Sequence, residues 1–195
     1  MTQMRRAAAP LLLILLAAVG CSQKRVLPIP APVDRAAGED EARLGSIARA
    51  EAARQDSLAR EASLRSAREK QLAEARATIA SPVYFGYDRY DPSPEPREKL
   101  DRKGSILNRS PSLRLRLSGH ADDRGSDEYN LALGQRRAAS ALEYLTALGI
   151  PAARLDITSF GEEKPVCQES LESCWSRNRR VEFEIIGGGD LIVVR

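Results

Sequence analysis

An aspartate in a loop and an arginine on the following helix are the residues whose types and spacing could do chemistry. Asp122, with a second aspartate beside it, lies in a polar segment bounded by glycines, 119–125. Arg137 belongs to a predicted helix over 127–148, at the border of its apolar stripe and on the same face as Asn130. An arginine there can bury its stem and direct its guanidinium toward the loop. The arrangement fits either a structural ion pair or a binding site at a loop–helix junction.

A hydrolytic site would have to use His120, because the chain has one histidine. Ser118 and Ser126 are the candidate nucleophiles, and nothing around them resembles a nucleophile elbow. Adjacent carboxylates such as Asp122 and Asp123 are more often surface charge than an acid–base pair. We therefore expect no enzymatic activity. With one histidine and no second pair of cysteines, we also expect no metal ion and no cofactor.

The C-terminal half of the chain alternates strands with helices. The sequence predicts a strand over 83–87, and period-two patterns predict three more over 113–117, 155–160 and 181–185. A proline at the start of one helix and a glycine after the end of the other bound predicted helices over 94–109 and 127–148. Helices between strands imply a two-layer α/β (α+β) sandwich. Aromatic residues cluster from Tyr84 onward, so the packed core is expected there.

The helix predicted over 127–148 has one apolar stripe at 3.6-residue spacing, which should pack on the sheet. This stripe is predicted to hold Leu131, Gly134, Ala138, Ala141, Leu142 and Leu145. Arg136 lies on the far side of the helix, so we expect its side chain to be solvated.

The first 20 residues have the parts of a secretory signal: two arginines, an apolar run over 7–19, and small residues before Cys21. The run is too short to span a membrane comfortably. Residues 16–21 resemble a bacterial lipobox, which implies that Cys21 carries acyl chains, each CH₂ contributing about 0.8 kcal/mol of membrane affinity. Ser22, in place of the aspartate that favours inner-membrane retention, implies the outer membrane. The alternative is an ordinary signal peptide with a chance cysteine.

A proline-rich linker, 21–38, is followed by a helical spacer, 39–80, rich in Ala, Arg, Glu and Leu. Some apolar residues of the spacer fall on a seven-residue register: Leu44, Leu58, Leu72 and Ile79. Glu51 and Arg65 interrupt that register, which favours a single charged helix over a coiled coil. Such a helix would extend on the order of 60 Å.

Two cysteines remain after the leader, Cys167 and Cys174. In an exported domain they are expected to form a disulfide. Closing so short a loop contributes roughly 2 kcal/mol on the chain-entropy estimate. The bond would brace the segment that leads into 178–180.

Two runs resemble the signature of OmpA-like peptidoglycan-binding domains: GHADDRG at 119–125 and YNLALGQRRA at 129–138. Supporting segments lie at 83–88, 90–91, 160–165 and 178–182. Within that family, the pattern is most similar to the peptidoglycan-associated lipoproteins (Pal). The resemblance places the domain at 81–187, with a tail over 188–195 that could add an edge strand or hang free.

This resemblance implies recognition of meso-diaminopimelate in the peptidoglycan stem peptide. Asp122 would pair with the ammonium at the free end of that residue, and Arg137 with the carboxylate. Asn130 would order the loop or add a hydrogen bond. Tyr87 and Asp88 would form the opposite wall.

The resemblance further implies a lipoprotein that tethers the outer membrane to the cell wall from its periplasmic face. Membership of the Tol–Pal system would give it a periplasmic Tol protein as partner and a role in cell division. The alternative is a passive wall anchor outside that system; a peptidoglycan hydrolase is more distant. A formal net charge of +3, with acids and bases interleaved, does not suggest a nucleic-acid partner.

Overall fold

The computed structural model describes residues 35–194, with side-chain detail from residue 38. Its helices are α1 (Arg35–Ala80), α2 (Pro94–Arg109), α3 (Asp127–Ala147) and α4 (Glu172–Asn178). Its strands are β1 (Val83–Tyr84), β2 (Arg114–His120), β3 (Leu155–Gly161) and β4 (Arg180–Gly187). The chain divides into two units, 1–51 and 52–195, and in the first the described part is the start of α1.

The predicted leader, the lipidated Cys21 and most of the linker lie outside the described residues. From residue 35 to residue 194, none of the helices is both long enough and apolar enough to cross a membrane.

The four strands form one sheet in the order β1-β4-β2-β3. β2 pairs parallel with β3 and antiparallel with β4, and β4 pairs antiparallel with β1. α3 makes the crossover that a parallel pair requires. Alternate residues of the sheet, such as Leu115, Leu117 and Phe183, share a core with Leu107 of α2 and Leu145 of α3. This two-layer α/β sandwich confirms the predicted fold class.

Two strands differ from their predicted bounds. β1 ends at Tyr84, three residues early, because a hydrogen-bonded turn begins at Gly86. β2 runs past the predicted 113–117 to His120, because it is hydrogen-bonded to a neighbouring strand on each side. Gly119 and His120 therefore lie in the strand and not in the predicted loop.

The buried face of α3 differs from the predicted stripe at one position. Leu131 is 49% exposed, whereas Leu133 is 4% exposed and packs inward. The backbone of Leu131 lies against Gly161 at the end of β3, which is an edge strand, and its side chain is left exposed. The rest of the stripe is buried or partly buried, and Arg136 is exposed, as predicted.

The end of α1 packs into the core, so the core begins before Tyr84, contrary to the prediction. Ile79 is fully buried. The ammonium of Lys103, on α2, is also buried and donates to the carbonyls of Thr78, Ile79 and Ser81 at 2.6–2.7 Å. Carbonyls at a helix C-terminus have no partner within the helix. Lys103 therefore ties the C-terminus of α1 to α2.

The disulfide between Cys167 and Cys174 is present, as predicted. It joins a loop to α4, a short helix that the sequence patterns did not predict. At the end of α4, the side-chain oxygen of Asn178 accepts the amides of Val166 and Cys167 at 3.0 and 3.1 Å. The loop is thus fastened at both ends of this helix.

The tail neither adds a strand nor hangs free over its described residues, 188–194. Ile192 is 5% exposed and belongs to the core. The amide of Val193 donates to the Ser110 hydroxyl at 3.0 Å. The tail therefore closes the end of the core beyond α2.

Candidate functional site

One cavity of about 200 Å³ gathers all five residues that the sequence assigned to binding. Tyr87 and Asp88 come from the loop after β1, Asp122 from the loop after β2, and Asn130 and Arg137 from α3. The cavity is completed by Arg124, Gly125, Tyr129 and Leu133. Three separate segments of the chain therefore meet at the predicted loop–helix junction.

A close approach of β2 to α3 sets the position of Arg137. A Cβ on Gly119 would lie 1.9 Å from the carbonyl oxygen of Gly134, so only glycine allows this packing. Arg137 lies one turn beyond Gly134 and thus reaches the end of β2. There its Nη1 donates to the carbonyl of His120 at 2.8 Å.

The guanidinium of Arg137 is fully buried and held by backbone groups. Besides the bond to His120, Nε donates to the carbonyl of Arg89 at 2.8 Å and Nη2 to that of Gly86 at 3.2 Å. Burial lowers the pKa of Arg137 to about 10, so the group stays charged at neutral pH. Within residues 38–194 it forms no ion pair with a carboxylate.

The carboxylate of Asp122 is 4% exposed and lies between two arginines. Arg124 Nη2 is 2.7 Å from one of its oxygens, and Arg179 Nη1 is 3.0 Å from the same oxygen. Burial by itself would raise the pKa of Asp122, but hydrogen bonds from Arg124 and Arg179 outweigh it and lower the pKa. Asp122 is therefore a fixed anion at neutral pH.

Arg124 covers Asp122 on the side of the cavity. Its guanidinium lies 4.1 Å from the ring centres of both Tyr87 and Trp175, and its side chain is 30% exposed. A second carboxylate, that of Glu172, lies 3.6 Å from Arg124 Nη2. Arg124 thus has an alternative partner close to the one it holds.

The remaining predicted residues order the walls of the cavity. The amide nitrogen of Asn130, which is buried, donates to the carbonyl of Arg124 at 3.3 Å and to Glu162. Asp88 has a left-handed backbone, φ 53°, and its carboxylate accepts the hydroxyl of Tyr129. The exposed loop that carries Asp88 is therefore connected to α3 across the mouth of the cavity.

Sequence reasoning missed several members of this cluster. Arg124 and Tyr129 lie inside the two signature runs, so their neighbourhood was marked but their roles were not. Arg179 lies 57 residues after Asp122 in the chain and meets it only through the antiparallel pairing of β2 with β4. No spacing rule predicts that contact.

The hydrolytic arrangement finds no support in the geometry. The ring of His120 is 2% exposed, stacks on Phe160, and has no hydrogen-bond partner on either nitrogen within residues 38–194. Ser126 instead caps α3, where its hydroxyl accepts the amide of Tyr129 at 3.3 Å. Within the same residues, no group of three or more His, Cys, Asp and Glu side chains is placed to hold a metal ion.

The sequence pattern of the OmpA family matches residues 84–179, the part of the chain that forms this cavity. The peptidoglycan-associated lipoprotein of Burkholderia pseudomallei has a crystal structure that is 35% identical, with a TM-score of 0.54 over 55% of this chain and 92% of that one. The chain belongs to the OmpA family.

Curated relatives in the OmpA family share the same region. The peptidoglycan-associated lipoprotein of Agrobacterium fabrum is 40% identical over 111 residues, which are 57% of this chain and 63% of that protein. The one from Haemophilus influenzae is 44% identical over 98 residues, 50% of this chain and 64% of that protein. The chain therefore spans just under two thirds of the length of these relatives.

Proposed function

We propose that this chain is a non-catalytic, peptidoglycan-binding lipoprotein that tethers the outer membrane to the cell wall. Support comes from the OmpA family match over 84–179 and from relatives that are named peptidoglycan-associated lipoproteins. The anchor would be Cys21 at the end of the leader. The wall contact would be the cavity between the β1 and β2 loops and α3.

The observation that carries the proposal is the buried charge of Arg137 in the wall of a polar cavity. Buried cations are normally paired with a carboxylate. Arg137 has only carbonyl partners, and these use three of its five N–H groups. Two donors remain for an anion, in a cavity that also contains the fixed carboxylate of Asp122. A zwitterionic amino-acid head fits this combination.

In this proposal, the free end of diaminopimelate occupies the cavity. Its carboxylate accepts hydrogen bonds from Arg137, and its ammonium pairs with Asp122. Asp122 already holds Arg124, so the ammonium needs Arg124 to move aside, and Glu172 is near enough to receive it. Tyr87 supplies one wall, and Asn130 and Asp88 hold the loops in place.

The test is sedimentation of the purified chain with intact sacculi. Asp122→Asn keeps the shape of the side chain and removes its charge, and Arg137→Lys keeps a cation but loses the forked geometry. Each should weaken binding at least about tenfold, because each removes a charge-assisted hydrogen bond. Thermal unfolding is measured in parallel, since the burial of Arg137 makes some loss of stability an expected result.

Two matched controls lie outside the cavity: Asp123→Asn, next to Asp122, and Arg102→Lys, on the surface of α2. Both should bind like the wild-type chain. Wild-type binding by folded Asp122→Asn and Arg137→Lys variants would overturn the assignment of the site.

Absence of catalysis is tested by incubating the chain with labelled sacculi. A binding protein leaves the label in the pellet, whereas a hydrolase releases soluble fragments. The geometry around His120 and Ser126 favours the first result.

Partnership with the Tol system is the leading interpretation, on the similarity to peptidoglycan-associated lipoproteins. The 46-residue helix α1 favours keeping a second candidate, a passive wall anchor outside that system. Co-purification with the periplasmic propeller protein of the Tol system would support partnership with that system. If the two proteins did not co-purify even after crosslinking, the passive wall anchor would be supported.

A further inference from the structure

A second polar cavity, of about 330 Å³, lies beside the first. It is lined by Tyr90, Asp91, Pro92, Arg97, Arg136, Ala139, Ser140, Glu143 and Tyr144. No residue of the proposed diaminopimelate site belongs to it. It contains two arginines and two acidic residues, so it suits a ligand with both polar and charged groups.

The same two segments of the chain line both cavities, through different residues. The loop after β1 lines the first cavity at Tyr87 and the second at Tyr90, and α3 lines both. From Leu133 in the first cavity to Ser140 in the second is seven residues, about 10 Å along the helix axis. The hydroxyl of Ser140 donates to the carbonyl of Tyr90 at 2.7 Å, which fixes the loop against the helix. A ligand that leaves the first cavity along α3 therefore meets the second.

Arg136 lies at the boundary of the two cavities. Its guanidinium carbon is 5.8 Å from the ring centre of Tyr129, which lines the first cavity, and 5.9 Å from that of Tyr90, which lines the second. Its side chain is exposed, and within residues 38–194 it has no carboxylate in ion-pair range. Contacts with two aromatic rings hold a cation in position without neutralising it.

We propose that Arg136 binds a second carboxylate of the stem peptide, the free α-carboxylate of the γ-linked glutamate that precedes diaminopimelate. This inference rests on the proposed function. That residue is joined through its side-chain carboxyl, so its α-carboxylate remains free. An α-linked residue spans about 3.5 Å when extended, and a γ-linked one spans more. The diaminopimelate chain, between its bound free end and the amide bond to the glutamate, adds a further span of similar length, so together the two residues are long enough to reach from the first cavity to the second.

The charges around Arg136 fix where that carboxylate can lie. Apart from Arg136, the charged residues that line the second cavity are two acids, Asp91 and Glu143, and one arginine, Arg97, so acids are in excess away from Arg136 and disfavour an anion there. At the boundary, Arg136 lies against the rings of Tyr129 and Tyr90, which carry no carboxylate. The anion is thus placed at the boundary, and the neutral amide groups of the peptide lie beyond it.

The experiment is calorimetric titration of the full chain with three probes: free meso-diaminopimelate, the tripeptide L-Ala–γ-D-Glu–diaminopimelate, and the same tripeptide with the glutamate α-carboxylate amidated. The wild-type chain should bind the acidic tripeptide about tenfold more tightly than the amidated one, the usual value of a charge-assisted hydrogen bond. Arg136→Gln should bind both tripeptides equally. Its affinity for free diaminopimelate should match that of the wild type.

The matched control is Arg102→Gln, an exposed arginine on α2 that lines neither cavity. It should keep the tenfold preference. Equal binding of the two tripeptides by the wild-type chain, or a preference retained in Arg136→Gln, would overturn the inference and leave the diaminopimelate site standing. If the wild-type chain bound none of the three probes, the proposed function itself would fail.

Discussion

At the scale of single residues, the adjacent arginines of α3 have opposite environments. Arg137 is fully buried among backbone carbonyls, and Arg136 is exposed between two tyrosines. A step of one residue turns a helix by about 100°, which is enough to move a side chain from the sheet side to the solvent side. The two arginines, from one turn of the helix, thus line two neighbouring cavities.

His120 should make the stability of the domain depend on pH. Burial lowers the pKa of His120 from 6.5 to about 4, with a smaller contribution from Arg180. Below pH 6.5 the unfolded chain takes up a proton that the folded chain does not accept until about pH 4. The free energy of unfolding therefore falls as the pH drops through this window, by about 3 kcal/mol at pH 4.

The measurement is urea unfolding at pH 7 and pH 4 for the wild type and His120→Phe. Phenylalanine keeps the stacking on Phe160 and loses no hydrogen bond, because neither ring nitrogen of His120 has a partner within residues 38–194. Both proteins contain the same carboxylates, so the difference between their losses of unfolding free energy reports on His120. Identical losses of stability in the two proteins would rule out His120 as the source.

At the scale of elements, the packing of β2 on α3 depends on two glycines. Gly119→Ala would place a Cβ 1.9 Å from the carbonyl oxygen of Gly134 and push the helix off the strand. We expect a loss of about 3 kcal/mol in unfolding free energy, at the upper end for overpacking. Sacculus binding should fall as well, because Arg137 moves with α3. Thermal unfolding and sedimentation measure the two effects.

A suitable control is Gly45→Ala, in α1, where a Cβ meets nothing within 4 Å. Alanine is the better helix former, so this change should leave the melting temperature unchanged or raise it. If Gly119→Ala were as stable as Gly45→Ala, the close approach of β2 to α3 would not be required.

The junction of α1 with the domain depends on one lysine. Lys103→Met keeps the apolar stem but removes the ammonium that donates to the carbonyls of Thr78, Ile79 and Ser81; of these three, Thr78 keeps a donor in the Ser81 hydroxyl. The expected loss is about 3 kcal/mol of unfolding free energy in urea. Lys99→Met, one turn earlier on α2, removes an ion pair with Glu95 and a contact with the ring of Tyr84, and should cost less than about 2 kcal/mol. Equal losses would contradict the role of Lys103.

At the scale of the whole molecule, the proposal needs two attachments, one to lipid and one to the wall. Cys21→Ser should move the chain from the membrane fraction to the soluble periplasmic fraction, because the acyl chains supply the membrane affinity. Mass spectrometry of the mature wild-type N-terminus should show a lipid-modified Cys21. An unmodified N-terminus at another residue would contradict the anchor and leave the wall-binding proposal untouched.

The sequence by itself determined the fold class and most of the elements. Strong local patterns explain this: a proline near the start of α2, a glycine after α3, and alternation in the strands are signals that need no tertiary contact. The signature runs also located Asp122 and Arg137, because the motif places one on the β2–α3 loop and the other on the helix that follows. The disulfide could be predicted from two cysteines in a domain that the sequence suggests is exported.

Only the tertiary structure decided how these residues are held. Three contacts join segments that are far apart in the chain. Arg179 pairs with Asp122, and Lys103 donates to a carbonyl at the end of α1. The carbonyls of Gly86 and Arg89 accept hydrogen bonds from Arg137. Leu133 is buried in the wall of the candidate site, and Leu131, next to the edge strand β3, is exposed; the helical period alone does not predict this difference. Local patterns report the period of an element, whereas its depth in the core and its partners depend on what packs against it.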